Sequence, residues 1–143
     1  MDIAHIIRDR SPSDIIGCDV TTSVREAVQL LASKRIGALP VIDGGRVVGI
    51  FSERDVLYRL AEEGETCLGR LVGQVMTAPI ISIEPSTRID EALGLMTRRR
   101  IRHLPVIENG ALRGFISIGD LVKSRMDEVE HEAEAMRSYI QTA

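Results

Sequence analysis

Aromatic side chains are scarce. They make up 3% of the 143 residues, with two Phe, two Tyr and no Trp. A binder that stacks single-stranded bases on aromatic platforms has little to build with here. Cysteine is nearly absent as well: Cys18 and Cys67 stand far apart, with no C-x-x-C spacing. That argues against a disulfide framework or a zinc site and fits a reducing compartment. His5, His103 and His131 are scattered without an i, i+4 pair, so no metal is expected. No apolar run approaches the roughly 18 residues that read as a membrane span. The opening MDIAHIIRDRSPSD lacks the apolar stretch of a signal peptide, and a cytoplasmic location is expected. Excess positive charge is missing too, the formal net charge being −3, which argues against nucleic acid as the partner. No G-x-S-x-G, Walker loop, H-E-x-x-H or G-x-G-x-x-G occurs, so no catalytic residue is assigned and the chain reads as non-enzymatic.

What is present is repetition. RIGALPVIDGGRVVGIFSERDVL (35–57) aligns without a gap on RIRHLPVIENGALRGFISIGDLV (100–122), at an offset of 65 residues. The identical columns are Arg35/Arg100, Ile36/Ile101, Leu39/Leu104, Pro40/Pro105, Val41/Val106, Ile42/Ile107, Gly45/Gly110, Gly49/Gly114, Ser52/Ser117 and Asp55/Asp120. Upstream, Val24, Ala27, Val28 and Leu31 repeat as Ile89, Ala92, Leu93 and Met96. The i, i+3, i+4, i+7 spacing predicts an amphipathic helix in each half. Thr22 and Ser23, and Ser86 and Thr87, are the candidate N-caps. Ile15 and Ile16, matched by Ile80 and Ile81, read as a short strand before each helix. DGG (43–45) and NG (109–110) between apolar runs predict hairpins. Pro40 and Pro105 inside the first hairpin strand predict an edge or a bulge. Residues 62–74 read as the connection, and Glu62, Glu63 and Glu65 as a solvated loop.

The expected fold is therefore mixed α/β (α+β): two β-α-β-β-α units, 8–64 and 74–123, packed through their sheets, with a C-terminal helix over 124–143. In that tail Val122, Met126, Val129, Ala133, Met136 and Ile140 step by heptad spacing. The stripe predicts a helix that packs against its own module or against a homodimer mate, the latter favoured. The arginine run TRRRIRH (97–103) reads as a helix end complementing its dipole.

With these residues in hand, the chain resembles a tandem pair of cystathionine-beta-synthase (CBS) domains, a stand-alone Bateman module. The resemblance covers roughly residues 10–125. It implies a regulatory module that binds an adenosine-containing nucleotide such as AMP, ADP, ATP, NAD(H) or S-adenosylmethionine in clefts between the repeats, with output to a separate protein effector. Each repeat carries Ser-x-x-Asp after a glycine-led apolar strand: Ser52 and Asp55, then Ser117 and Asp120. A carboxylate can accept both vicinal hydroxyls of a ribose, and a helix N-terminus seats a phosphate. In one cleft Ser117 and Asp120 would act with Arg102 and His103 toward the phosphates, and with Asp14, Ile16, Ile36 and Gly37 at the adenine. In the other, Ser52 and Asp55 would act with Thr77, Ile81 and Ile101, with Gly37 and Ala38 in place of Arg102 and His103. The alternatives are a ligand-free interaction module, in which Ser-x-x-Asp is only a capping box, and a nucleotide-dependent nucleic-acid regulator using the arginine run.

Overall fold

A computed structural model describes residues 1–142. In chain order the elements are α1 (Ile3–Ile7), a 3-10 turn (Pro12–Asp14), β1 (Cys18–Asp19), α2 (Val24–Lys34), β2 (Ala38–Asp43), β3 (Arg46–Ser52) and α3 (Glu53–Glu63). A 3-10 segment (Gly64–Gly69) and α4 (Val72–Val75) follow, then α5 (Ile89–Arg99), β4 (His103–Glu108), β5 (Ala111–Ser117) and α6 (Ile118–Thr142). Mixed α/β architecture with two small sheets is thus the fold, and the sheets are ordered β1-β2-β3 and β4-β5.

The chain forms two compact units. The first holds Ser13–Ile81 and Gly110–Leu112; the second holds Met1–Pro12, Ser82–Asn109 and the residues from Arg113 onward. Each unit is therefore completed by the segment that leads the other repeat. In the second unit α1 docks through Ile3 N–H to the Thr87 carbonyl and Ala4 N–H to the Pro85 carbonyl, both 2.9 Å. In the first, α4 docks through Val72 N–H to the Thr22 carbonyl (2.8 Å) and Gly73 N–H to the Val20 carbonyl (3.0 Å). Thr22 and Thr87, like Val20 and Pro85, are the same repeat positions.

The cores coincide across the repeat. Val24, Ala27, Leu31, Leu39, Val41 and Phe51 are buried in the first unit, and Ile89, Ala92, Met96, Leu104, Val106 and Ile116 in the second. The docked segments add Val72 and Val75 to one and Ile3 to the other. Each fully buried aliphatic side chain contributes about 2 kcal/mol. Both hairpins turn through left-handed pairs, Gly44 and Gly45 at φ 57° and 81°, Asn109 and Gly110 at φ 52° and 79°, the geometry that matches strand twist.

Three expectations are corrected. The strand before each helix is not at Ile15–Ile16 and Ile80–Ile81 but slightly downstream. Cys18 and Asp19 pair in parallel with Val41 and Ile42, and Ile83 bridges Val106. In the second repeat neither Ser86 nor Thr87 is the N-cap: Arg88 holds that position without a side-chain bond. Ser23, in the first repeat, does cap, its Oγ accepting from Glu26 N–H at 3.1 Å. Glu62, Glu63 and Glu65 are not in a loop: Glu62 and Glu63 end α3, Glu63 pairing with Arg70, and Glu65 lies in the 3-10 segment, although Glu62 and Glu65 are exposed. The irregularity expected at Pro40 is present as a bulge, with β2 in the centre of its sheet. Pro40 is tolerated because β1 pairs only from Val41 onward, ahead of a bulge at Val41/Ile42. Its partner Ile50 spends its own N–H and C=O on Thr77, at 3.0 and 2.8 Å, so no donor is missed at the proline.

α6 begins at Ile118 and runs unbroken through the heptad stripe. Arg98 and Arg99 lie in the last turn of α5, where positive charge complements the helix dipole. Among the described residues no helix is long and apolar enough to cross a membrane. None of them form a cluster of metal-ligating side chains either.

Candidate functional site

Each Ser-x-x-Asp sits where a hairpin strand turns into a helix, β3 into α3 and β5 into α6. Both are capping boxes, and both aspartates are half-buried. Ser52 N–H donates to Asp55 Oδ2 at 2.9 Å, with Ser52 Oγ 3.2 Å from the same oxygen. Ser117 N–H donates to Asp120 Oδ2 at 2.9 Å, and Asp120 N–H returns a bond to Ser117 Oγ at 3.2 Å. The cap thus falls on one oxygen of each carboxylate, leaving Oδ1 turned outward.

What meets that outer oxygen differs. At Asp55 it is Thr77, whose Oγ1 donates to Oδ1 at 2.9 Å. At Asp120 it is Arg10, whose Nη2 donates to Oδ1 at 2.8 Å while Nη1 donates to Oδ2 at 3.3 Å. Burial pushes the Asp120 carboxyl up, but the Arg10 guanidinium and the Ser117 bonds outweigh it and hold the group below its ordinary value.

The two glycines explain how these partners arrive. A Cβ on Gly49 would collide with Met76 Sδ and come within 3.0 Å of the Thr77 carbonyl. A Cβ on Gly114 would lie 2.8 Å from Ile7 Cγ2. The missing side chains make room for the docked segments that carry Thr77 and Arg10, so the close approach is made by the chain itself.

The other sequence-derived residues lie within their own units, and Arg102 and Gly37 reach the helix starts beside the corners. In the second unit Ile118 N–H donates to the Arg102 carbonyl at 2.8 Å, placing Arg102 beside the α6 N-terminus. The next residue, His103, is stacked on Phe115, with centroids 5.5 Å apart and planes at 14°. Ile101 closes α5, its N–H donating to Met96. In the first unit the matching bond runs from Glu53 N–H to the Gly37 carbonyl, 3.0 Å, so Gly37 and buried Ala38 stand beside the α3 N-terminus. Asp14 is exposed on its 3-10 turn, Ile16 packs half-buried against the core, and Ile81 is half-buried. Ile36 and Gly37 also line a depression of about 500 Å³ between α2 and α3. Neither Ser52 nor Asp55 lines it, so that depression is not the ribose corner.

Sequence reasoning missed Arg10. The signal available was a length difference: eight residues separate Ile7 from Ile16, but four separate Met76 from Ile81. The longer loop carries Arg10 to a partner 110 positions away.

Two repeated α/β units, each closing on a Ser-x-x-Asp corner, define a tandem-repeat module. The CBS domain model matches residues 4–62 and 72–127, and the chain belongs to the CBS domain family. It is 35% identical over 129 residues to the mitochondrial CBS domain-containing protein CBSX3 of Arabidopsis thaliana, covering 87% of this chain and 63% of that protein's length. A CBS-domain containing protein from Agrobacterium tumefaciens has a crystal structure that superposes with a TM-score of 0.82 at 36% identity, covering 87% of this chain and 99% of the other. A crystal structure of CBSX2 in complex with AMP superposes with a TM-score of 0.75 at 27% identity, covering 88% and 96%.

Proposed function

We propose that this protein is a non-enzymatic sensor in which Asp55 and Asp120 each grip the ribose of an adenosine-containing nucleotide. The observation that carries the reading is the duplicated corner: a half-buried carboxylate at a helix N-terminus, one oxygen used by the cap and the other turned to exchangeable side-chain donors. Charge-assisted bonds to vicinal hydroxyls suit that oxygen, and the helix start beside it suits a phosphate. Ser117, Arg102 and His103 serve Asp120; Ser52, Thr77 and Ile81 serve Asp55, with Gly37 and Ala38 at the helix start. Asp14, Ile16, Ile36 and Gly37 offer an adenine-lining surface. The AMP complex of CBSX2 supports an adenine nucleotide, with AMP, ATP, NAD(H) and S-adenosylmethionine as candidates.

Ligand binding would shift packing that a separate protein effector reads. Exposed apolar residues on α3 (Leu57 63% exposed, Tyr58 60%) and on α6 (Met126 66%, Ile140 67%) support a homodimer. Burial pushes the Cys18 thiol up to about 11, which keeps it protonated and unreactive at neutral pH. A second reading, a ligand-free interaction module, is favoured by the completeness of both capping boxes. Thermal shift and calorimetry with AMP, ADP, ATP, NAD+, NADH and S-adenosylmethionine separate the two. Stabilisation by one of them that Asp55→Ala and Asp120→Ala remove supports the sensor. No shift at millimolar ligand leaves the caps as punctuation.

A further inference from the structure

We propose that the two corners select different ligands: the Asp120 corner admits a nucleoside that brings its own phosphate, while the Asp55 corner accepts the ribose whether or not phosphate is attached. The proposal rests on the ribose-binding reading and adds the ligand class for each corner.

The difference lies in what must be moved. A carboxylate offers about four lone-pair positions. At Asp120 the Arg10 fork lies across both oxygens, at 2.8 and 3.3 Å, beside the Ser117 N–H on Oδ2. A diol that takes the outward oxygen, Oδ1, has to displace the guanidinium arm bound there. A neutral nucleoside sends it into water, and the ion pair is lost. A nucleoside phosphate offers it a second anion, so Arg10 exchanges a carboxylate for a phosphate and no charge is stranded. The surroundings favour that exchange. Arg10 is on an exposed loop with 44% of its side chain accessible. The corner opens onto the N-terminus of the 25-residue α6, where the positive end of the helix dipole attracts phosphate. Arg102 flanks that terminus through its carbonyl bond to Ile118.

At Asp55 the displaced group is one neutral hydroxyl, Thr77 Oγ1 at 2.9 Å. It rotates, remains solvated when moved, and needs no counter-anion. The corresponding helix-start position is Gly37, without a cation.

The test uses the full chain carrying Asp55→Asn, so that only the Asp120 corner reports, and titrates AMP and adenosine by calorimetry with and without Arg10→Gln. The expected result is that the parent prefers AMP over adenosine, and that Arg10→Gln tightens adenosine a few-fold, weakens AMP, and lowers the preference roughly tenfold. Arg10→Lys, which keeps the charge but loses the fork, should fall between. Thermal melting of each variant confirms that it folds. An unchanged AMP-to-adenosine ratio, or equal weakening of both, overturns the selection by Arg10 and leaves ribose binding standing. No binding of either ligand by any variant, the unsubstituted protein included, overturns both.

Discussion

At Asp55 the outward carboxylate oxygen accepts a threonine hydroxyl; at Asp120 it accepts one arm of an arginine. Strand, serine and the glycine that lets the neighbouring segment in are all repeated, and the partner of the outward oxygen comes from loops of unequal length, the one after α1 being four residues longer than the one after α4. Duplication preserved the scaffold because each core position constrains its partners. The docked loops differ, and one side chain from each, Thr77 or Arg10, meets the carboxylate.

The comparison can be broken most severely at the glycines. Gly49→Ala forces Cβ against Met76 and the Thr77 backbone, and should cost about 1–3 kcal/mol. Gly114→Ala meets only a methyl of Ile7 and should cost less, as urea denaturation of both variants would measure. Equal costs would mean that α1 and α4 are held equally tightly. A sharper test exchanges the partners. Thr77→Arg with Arg10→Thr should transfer the phosphate preference from the Asp120 corner to the Asp55 corner, by roughly tenfold in affinity ratio, about 1.4 kcal/mol. Titration with AMP and adenosine reads it.

Acid should separate the corners more gently. Because Arg10 and the Ser117 bonds hold the folded Asp120 carboxyl below its ordinary value, the ion pair stabilises the fold above the ordinary carboxyl range near 4. That stabilisation disappears as pH falls through the lower folded value. Melting from pH 7 to pH 3 should show wild type above Arg10→Gln by about 1 kcal/mol or less, the gap closing in the acid range. A gap that persists at pH 3 would rule out the ion pair as its source. The smallest effect belongs to Arg35, which closes α2 in a left-handed conformation at φ 53°. Arg35→Gly should stabilise the first unit by about 0.5 kcal/mol, visible as a small rise in melting temperature.

The repeat made much of this legible. Amphipathic spacing located α2 and α5, and turn dipeptides located both hairpins, since each signal lies within a few residues of the feature it specifies. The β1 and Ile83 pairings were misplaced because one or two residues leave no alternation to read. Arg88 was passed over as an N-cap because the helix start there is fixed by docking rather than by a side-chain bond. The serines and aspartates of the corner stood out by duplication. Arg10 did not, because nothing near it in sequence indicates a carboxylate 110 positions away.

The docking of α1 onto the second unit and α4 onto the first has a consequence for ancestry. A single ancestral repeat with the same arrangement would leave its core without a docked segment, because its leading segment docks on the neighbour. Two identical copies trading those segments would have been the smallest foldable object, and fusing them end to end would give the present connectivity. Chain cleavage after Gly69 re-creates that situation: neither fragment holds a complete unit, and the pair should regain structure only when mixed.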